Sequence, residues 1–311
     1  MNRYPIPPMS MLRTIAAGCL AALGVSQFAL AAEPTGVLKK IKETGEITIG
    51  YRESSIPFSY LDDKAMPVGY SIDLCNRIVE AIKTELKLPK LVVKQQAVTS
   101  QNRIPLVMNG TVQLECGSTV NNAERQKQVG FSVTTFVVAT RFIAKKSGNY
   151  KTVEDLKGKT VAVTTGTNTY QRVRELNTVR NLGMNILSGK DHADSMLLVT
   201  TGRAEAFFED DILITGMAAT SAEPKGWALS TEGYSVDPYA IMFPKDDPAL
   251  KKVVDTTLIN LYRSGEIKAI YDKWFTKPIP PKGITLDFPM GAALSHAIDK
   301  PTDSAEPSAY K

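Results

Sequence analysis

The sequence predicts an α/β protein of two lobes, each a mostly parallel sheet flanked by helices, joined by two hinge strands. Strand-like and helix-like segments alternate in two separate runs, and short connections between such segments favour parallel strands covered by helices. Two apolar, β-branched stretches, 134–146 and 237–245, lie between and after the runs. We therefore expect lobe 1 at residues 36–139 and 241–284, with lobe 2, residues 140–240, inserted into it.

The first run of elements starts with a strand at residues 46–51. A helix is predicted over 71–86, because its apolar residues recur at helical spacing and Ser71 is a possible cap. A strand at 91–96, a helix around 104–109 that ends at Gly110, and a third strand within 112–118 follow. This order predicts one parallel sheet.

The second run repeats this alternation of strands and helices. A strand in residues 160–167 leads into a glycine-containing turn, and a helix over 168–176 should point its N-terminus at that turn. A strand at 184–188, a helix within 190–203 and a strand at 204–211 that ends in two acids complete the run. Each strand is thus followed by a polar loop of the kind that lines a site.

The end of the chain is predicted to contain one closing helix, residues 249–275, followed by a proline-rich segment. Residues 285–311 form a polar C-terminal tail rich in Ala, Ser, Asp and Lys. We expect this tail to be partly disordered, particularly over residues 301–311, since it contains too few apolar residues to offset the cost of ordering.

Residues 1–31 have the pattern of a cleaved export signal. Arg3 and Arg13 form a basic start without an acid, residues 14–31 are apolar and nearly uncharged, and a small-x-small site ends at Ala31. A membrane anchor is the alternative, but Ala, Gly, Ser and Gln dilute the apolar run. Cleavage before Cys19 with attachment of a lipid is a less favoured alternative. We therefore expect an exported, periplasmic protein.

Charge and composition exclude several classes of function. Cleavage after residue 31 removes Arg3 and Arg13 and lowers the formal charge from +5 to +3, which is too mild and too evenly spread to favour nucleic acid. Two histidines and two remaining cysteines without ligand spacing argue against a metal. The GTNTY turn lacks the pattern of a phosphate loop. No cofactor is predicted.

Cys75 and Cys116 remain in a compartment that should be oxidising. They could form a disulfide, but one belongs to a helix and the other ends a strand, so geometry decides whether they can meet. Two buried free thiols are the open alternative.

The residues at the carboxyl ends of the predicted strands are the candidate binding residues, because ligands of open α/β sheets bind there. The stretch 99–132 is the most informative, since it combines isolated arginines with small hydroxyls. The candidates are Arg52, Ser100, Arg103, Ser118, Thr119, Arg125, Thr167, His192 and Asp210.

The charge of this set indicates the ligand. Three arginines, one histidine and one inward-facing acid favour a molecule with two carboxylates and one ammonium, because buried charge must be paired. We expect Arg125 and the backbone at Thr167 to hold one carboxylate and Asp210 to hold the ammonium. Arg52 and Arg103, with Ser100, Ser118 and His192, would take the second carboxylate. Alternatives stay open, since Thr167 can simply cap a helix and His192 can be an ordinary polar residue.

Residues 36–281 carry ordered motifs that resemble the extracytoplasmic amino-acid-binding proteins of ABC importers (family 3 solute-binding proteins). Within them, SQNR and CGSTxNNxERQ are similar to the glutamate/aspartate branch. The motifs are YRESSIPFSY (51–60), VGYSIDLCNRIVEAI (68–82), TSQNRIPLVMNGT (99–111), ECGSTVNNAERQKQVGFS (115–132), DLKGKTVAVTTGT (155–167), KDHADS (190–195), GRAEAFFEDD (202–211) and GEIKAIYDKWF (265–275).

The resemblance implies a two-lobed periplasmic-binding-protein fold that closes over L-glutamate or L-aspartate and delivers it to a membrane permease. It implies α-carboxylate contact by Arg125 and ammonium contact by Asp210. We expect a monomer and no enzymatic activity. Val120 and Asn168 depart from threonines of similar proteins, and Ile241 stands where some relatives have a cysteine that would pair with Cys116.

Two other functions remain as alternatives. An exported enzyme on the same scaffold, such as a dehydratase acting on a cyclic acid, would need a placed general acid or base, for which Glu209, Asp210 or His192 could serve. A receptor sensor is disfavoured because no transmembrane helix or signalling domain follows the second lobe.

Overall fold

The structure is a computed structural model that describes residues 33–310, so the predicted signal segment lies outside the described residues. Strands and helices alternate along most of this range. The strands are β1 Glu46–Tyr51, β2 Ser54–Ser55, β3 Ser59–Leu61, β4 Pro67–Val68, β5 Val92–Ala97, β6 Leu114–Glu115, β7 Val129–Phe131, β8 Phe136–Val138, β9 Thr140–Lys145, β10 Thr160–Thr164, β11 Asn185–Gly189, β12 Ala206–Asp210, β13 Trp227–Leu229, β14 Asp237–Tyr239 and β15 Met242–Pro244.

The helices flank the sheets and carry apolar faces toward them. They are α1 Gly36–Thr44, α2 Tyr70–Leu86, α3 Arg103–Met108, α4 Ala123–Gln126, α5 Asn168–Val179, α6 His192–Thr200, α7 Asp211–Thr220, α8 Pro248–Ser264, α9 Glu266–Phe275 and α10 Ala292–Asp299. In α2, for example, Leu74, Ile78 and Ile82 are buried at helical spacing, and they join the core that fills lobe 1.

Lobe 1 contains a five-stranded sheet in the order β5-β1-β6-β15-β7. β1 pairs in parallel with β5 and β6, whereas β15 runs antiparallel to β6 and β7. Because β15 comes from a part of the chain more than a hundred residues beyond β7, the intervening segment is inserted into this sheet's fold.

Lobe 2 contains the second five-stranded sheet, in the order β11-β10-β12-β9-β13. β10 pairs in parallel with β11 and β12, and β9 runs antiparallel to β12 and β13. β12 is buried along its whole length and ends at Asp210. The carboxyl end of this parallel core therefore presents an acid.

The connection between the lobes is a two-stranded antiparallel ribbon of β8 and β14. The two β-branched stretches of the sequence thus do not form single strands. The first stretch breaks at Ala139 into β8 and β9, and the second breaks at residues 240–241 into β14 and β15. Each stretch therefore contributes one strand to the ribbon and one strand to a five-stranded sheet.

The structure settles two further points about the chain. The predicted single closing helix is wrong: Gly265 adopts φ 78°, ends α8 with a left-handed cap and starts α9, which a glycine permits. Cys75 and Cys116 form a disulfide, with Cα atoms 6.2 Å apart, because α2 packs beside the end of β6. Cys116 therefore pairs with Cys75, and not with a cysteine at the position that Ile241 occupies here.

The C-terminal segment packs against lobe 1 in place of the disorder expected for residues 301–311. Tyr310 is buried, and its hydroxyl lies 2.7 Å from Thr134 Oγ1. Asn121 Nδ2 donates to the Asp303 carbonyl oxygen at 2.9 Å, and Lys251 Nζ lies 2.9 Å from the Asp303 carboxylate. These contacts order a segment whose composition alone indicates disorder.

Candidate functional site between the lobes

Lobe 1 places three buried guanidinium groups at the cleft. Arg52 directly follows β1, Arg103 begins α3 after β5, and Arg125 lies in α4. Their residues are 1%, 2% and 7% exposed, respectively. Burial of three like charges is costly, so the cleft must supply acceptors for them.

Arg103 is held on one side only. Its Nη1 donates to the Ser118 carbonyl oxygen at 3.1 Å and to Thr119 Oγ1 at 2.5 Å. Its Nε is buried without a hydrogen-bond partner within residues 33–310, and so are the hydroxyls of Ser100 and Ser118. Three polar groups at the ends of β5 and β6 are therefore free to bind an anion.

Arg52 reaches across to lobe 2. Its Nη2 lies 3.5 Å from His192 Nε2, while its Nη1 has no hydrogen-bond partner in the described part of the chain. Burial lowers the pKa of Arg52 to about 10, helped by the positive charge of Arg103 and opposed by Glu115. The guanidinium therefore stays charged at neutral pH.

Arg125 also joins the two lobes. Its Nη1 donates to the Val120 carbonyl oxygen at 2.8 Å, and its Nη2 donates to the Gly166 carbonyl oxygen at 3.3 Å. Asn122 caps the short helix α4 by accepting from the Arg125 backbone N–H at 2.9 Å. Burial lowers the pKa of Arg125 to about 9, again helped by Arg103, so this group also stays charged.

Val120 and Asn168, which stand where similar proteins have threonines, lie close to these contacts of Arg125. Val120 meets Arg125 through its backbone carbonyl, and its own strand bridge is to Tyr239. Asn168 accepts from Asn122 Nδ2 at 3.2 Å and donates to Asp237 Oδ1 at 3.3 Å. Asn168 therefore adds an interlobe hydrogen bond.

The lobe 2 wall is built from the ends of its three parallel strands. Thr167 follows β10 and caps α5, because its Oγ1 accepts from the Tyr170 N–H at 3.0 Å. Thr167 therefore caps α5 and also lies at the cleft. His192 starts α6 after β11, and Asp210 ends β12. All three residues are buried.

Asp210 lies among hydrogen-bond donors and other acids. The Tyr239 hydroxyl donates to Asp210 Oδ2, and Thr169 Oγ1 lies 3.5 Å from Oδ1. Burial raises the pKa of Asp210 well above its usual range, with further contributions from Glu209 and Asp237. A cation placed beside this carboxyl would favour its charged form.

Sequence reasoning missed two buried acids of the site. Glu115 is fully buried at the end of β6, and Glu209, proposed above only as a recruit for an enzyme, is 2% exposed. Glu209 Oε2 lies 3.2 Å from His192 Nδ1, and Thr164 Oγ1 lies 3.1 Å from the same nitrogen. Burial lowers the pKa of His192 against the opposing charge of Glu209, which favours a neutral imidazole.

The expectation of a single inward-facing acid is therefore wrong, because Glu115 and Glu209 are buried as well as Asp210. Glu115 lies between the buried residues Leu114 and Cys116, and it pairs with β15, a strand more than a hundred residues away along the chain. The charge count alone no longer identifies the ligand. The unpartnered donors are the more direct evidence for an anion.

Within residues 33–310, no group of three or more His, Cys, Asp or Glu side chains is placed to hold a metal ion. In the same range, none of the helices combines the length and apolar character that crossing a bilayer demands.

A polar cleft between two α/β lobes, lined by the carboxyl ends of the parallel strands of both sheets and spanned by two crossing strands, is typical of a solute-binding protein. The chain belongs to the bacterial extracellular solute-binding proteins, family 3, whose model matches residues 47–277. The two-lobed fold predicted from the sequence is thereby confirmed.

Relatives support the same class. The chain is 50% identical over 301 residues to the L-glutamate/L-aspartate-binding protein of Pseudomonas aeruginosa, covering 96% of this chain and 98% of the relative. It is 45% identical over 283 residues to the glutamate/aspartate import solute-binding protein of Escherichia coli, covering 91% and 94%. Both relatives are named as binding proteins, which supports the solute-binding class.

Solved structures share the fold. A mutant of ArgBP from T. maritima superposes with a TM-score of 0.69 at 25% identity, covering 77% of this chain and 99% of that one. The cysteine-binding protein of Campylobacter jejuni gives a TM-score of 0.69 at 24% identity, covering 81% and 98%. The second likeness concerns the fold alone.

Proposed function

We propose that this protein captures L-glutamate or L-aspartate between its two lobes in the periplasm and delivers it to the permease of an ABC importer. The observation that carries the proposal is the group of buried, unpartnered donors at the cleft: Arg52 Nη1, Arg103 Nε and the hydroxyls of Ser100 and Ser118. A buried donor without a partner is costly, and a side-chain carboxylate supplies acceptors for several donors at once.

The remaining contacts divide the ligand into three parts. Arg52, Arg103, Ser100, Ser118 and His192 would bind the side-chain carboxylate, with Thr119 orienting Arg103. Arg125 and the start of α5 at Thr167 would bind the α-carboxylate, because a helix N-terminus and a guanidinium both favour an anion. Asp210 would bind the α-ammonium, whose charge stabilises the ionised carboxyl.

The names of the relatives support this choice of ligand, since those from Pseudomonas aeruginosa and Escherichia coli are named for glutamate and aspartate. Membership of an extracellular solute-binding family supports export, and we further propose a cleaved signal at residues 1–31 and a monomer that releases its ligand to a membrane permease. We also propose lobe boundaries near residues 139–140 and 240–241, because the chain passes between the β8–β14 ribbon and the two sheets at these points.

Thermal-shift screening of the protein lacking residues 1–31 tests the proposal, because a ligand stabilises only the state that it binds. All amino acids and small dicarboxylates are compared at one concentration. L-Glutamate or L-aspartate should raise the melting temperature most. A larger shift with arginine, glutamine or a cyclic acid would overturn the ligand assignment.

A further inference from the structure

Glu115 is a buried carboxylate that the proposed ligand contacts do not use. It ends β6 in the middle of the lobe 1 sheet, where it is paired in register with Gly50 of β1 and Met242 of β15. Its residue is 0% exposed. Since a buried charge needs compensation, the groups that face it indicate what it does.

One oxygen of Glu115 is bound to the loop that follows β6. Thr119 Oγ1 donates to Glu115 Oε2 at 2.5 Å. A hydroxyl has only one proton, so a Thr119 that donates to Glu115 can only accept from Arg103. Arg103 Nη1 lies 2.5 Å from that same Oγ1. Glu115 thereby determines the direction of the Thr119 hydroxyl.

The second oxygen of Glu115 lies beside Arg52. Glu115 Oε1 has no hydrogen-bond partner among residues 33–310. A Cβ built on Gly117 would collide with this oxygen and would lie 2.9 Å from Arg52 Cγ. The glycine therefore leaves room for the carboxylate and the Arg52 stem to pack side by side. The Gly117 carbonyl oxygen is itself held by Ser71 Oγ at 2.7 Å.

We propose that Glu115 is a positioning residue that acts through Thr119 to hold Arg103 with its Nε facing the ligand's side-chain carboxylate. The proposal rests on the proposed function in taking that ligand to be an acidic amino acid. Nη1 of Arg103 is restrained by Thr119 and the Ser118 carbonyl, and the opposite edge of the guanidinium is left for the ligand. Preorganisation of this kind increases affinity by reducing the ordering that binding requires.

A purely electrostatic role for Glu115 predicts the opposite result to a positioning role. Glu115→Gln removes one negative charge near three arginines, so by Coulomb attraction alone an anionic ligand would bind more tightly. If Glu115 positions Arg103, the same substitution weakens binding, because a neutral amide is a poorer acceptor and can also donate to Thr119. The sign of the change separates the two roles.

The test is a double-mutant cycle on Glu115→Gln and Thr119→Val, read by calorimetric titration with L-glutamate and L-aspartate. Each single variant should weaken binding roughly 10- to 100-fold, the range for a hydrogen bond to a charged group. The double variant should lose little more than either single one, since both cut the same connection. Thr119→Ser retains the hydroxyl and should stay within about threefold of wild type.

Glu53→Gln is the matched control, because Glu53 is exposed next to Arg52 and its substitution removes the same charge. It should leave affinity nearly unchanged. Tighter glutamate binding by Glu115→Gln, or additive losses in the double variant, would overturn the positioning role.

A second readout does not depend on the ligand. The Nε–H resonance of Arg103 in nitrogen-15-labelled protein, identified by its absence from Arg103→Lys, should shift in Glu115→Gln and Thr119→Val but not in Glu53→Gln. An unchanged resonance in both site variants would overturn this inference even if glutamate binds. If the resonance shifts in both site variants but the wild-type protein binds no acidic amino acid, only the proposed function is refuted.

Discussion

Gly166 of lobe 2 meets Gln101 of lobe 1 backbone to backbone: a Cβ built on Gly166 would lie 2.7 Å from both Gln101 Cα and Gln101 N. Gly166 also has φ +79°, a conformation that favours glycine. The close approach brings the turn before α5 against the turn before α3. The two halves of the candidate site are therefore brought together by a contact that tolerates no side chain.

Gly166→Ala should impair closure and weaken ligand binding at least about tenfold, because the backbone of Gln101 cannot move aside as a flexible side chain would. Gly202→Ala is the matched control, since Gly202 has φ +73° but nothing within 4 Å of its added Cβ. Both variants should lose similar folding stability, and only Gly166→Ala should lose affinity in a calorimetric titration. Equal affinities would contradict the closure role.

Arg125→Ala should weaken the binding of an acidic amino acid severely. The guanidinium bridges the lobes through the Val120 and Gly166 carbonyls, and we assign it to the α-carboxylate. Removal of one partner of a buried charge pair costs about 2–5 kcal/mol, or roughly 30- to several-thousand-fold in affinity. Titration calorimetry measures this loss. The exposed Arg203→Ala serves as the control, and retained affinity in Arg125→Ala would refute the assignment.

Arg103→Ala should change ligand preference as well as affinity. Because Arg103 Nε is unpartnered and we assign it to the side-chain carboxylate, its loss should cost glutamate more than glutamine, which carries no charge there. The ratio of glutamate to glutamine affinity should fall at least about tenfold. Parallel titrations with both ligands measure the ratio, and an unchanged ratio would assign Arg103 to a different part of the ligand.

Asp210 should make the ligand-free protein less stable as pH rises. Burial, with Glu209 and Asp237, raises its pKa well above the usual range, so the folded protein keeps a proton that the unfolded chain releases above about pH 4. The stabilisation is complete below that pH and is lost as pH rises toward the folded pKa.

Asp210→Asn removes this dependence. The free energy of unfolding of wild type minus that of the variant should fall by up to about 1.4 kcal/mol per pH unit above pH 4. Urea unfolding of both proteins from pH 4 to 7 measures the difference, with the exposed Asp63→Asn as a control. A difference that stays constant or rises with pH would be inconsistent with a raised pKa.

The Cys75–Cys116 disulfide should stabilise the fold substantially. It joins residues 41 apart, a separation for which chain-entropy estimates give about 4 kcal/mol. Replacement of both cysteines by serine should lower the free energy of unfolding by roughly 2–4 kcal/mol. Urea unfolding measures the change. Reductant should destabilise wild type but leave the double variant unaffected, and equal stability of the two proteins would show that the bridge contributes nothing.

Much of the fold was predictable because the local sequence patterns and the repeated alternation of strands and helices indicate the same two sheets. The first strand was placed at residues 46–51, as observed, and the alternation of elements predicted both sheets. The break at Gly265 was available as a glycine signal, although the apolar periodicity continued past it. Packing of the C-terminal segment was not predictable, because its order depends on contacts with Thr134, Asn121 and Lys251 rather than on its own composition.

The site was predictable only in part. Topology places polar residues that follow parallel strands at the carboxyl edge of each sheet, and all nine candidates are buried. Glu115 escaped notice because its burial depends on β15, a strand more than a hundred residues away that covers its edge of the sheet. The disulfide likewise required the packing of α2 against the end of β6, which the separation of its cysteines does not reveal.

Calorimetric titration of the protein lacking residues 1–31 with L-glutamate and L-aspartate measures the proposed ligand binding itself. We predict saturable binding of one ligand per chain to at least one of them, tighter than L-glutamine or L-arginine. Failure of both acidic amino acids to bind, or tighter binding of glutamine or arginine, would refute the proposed function.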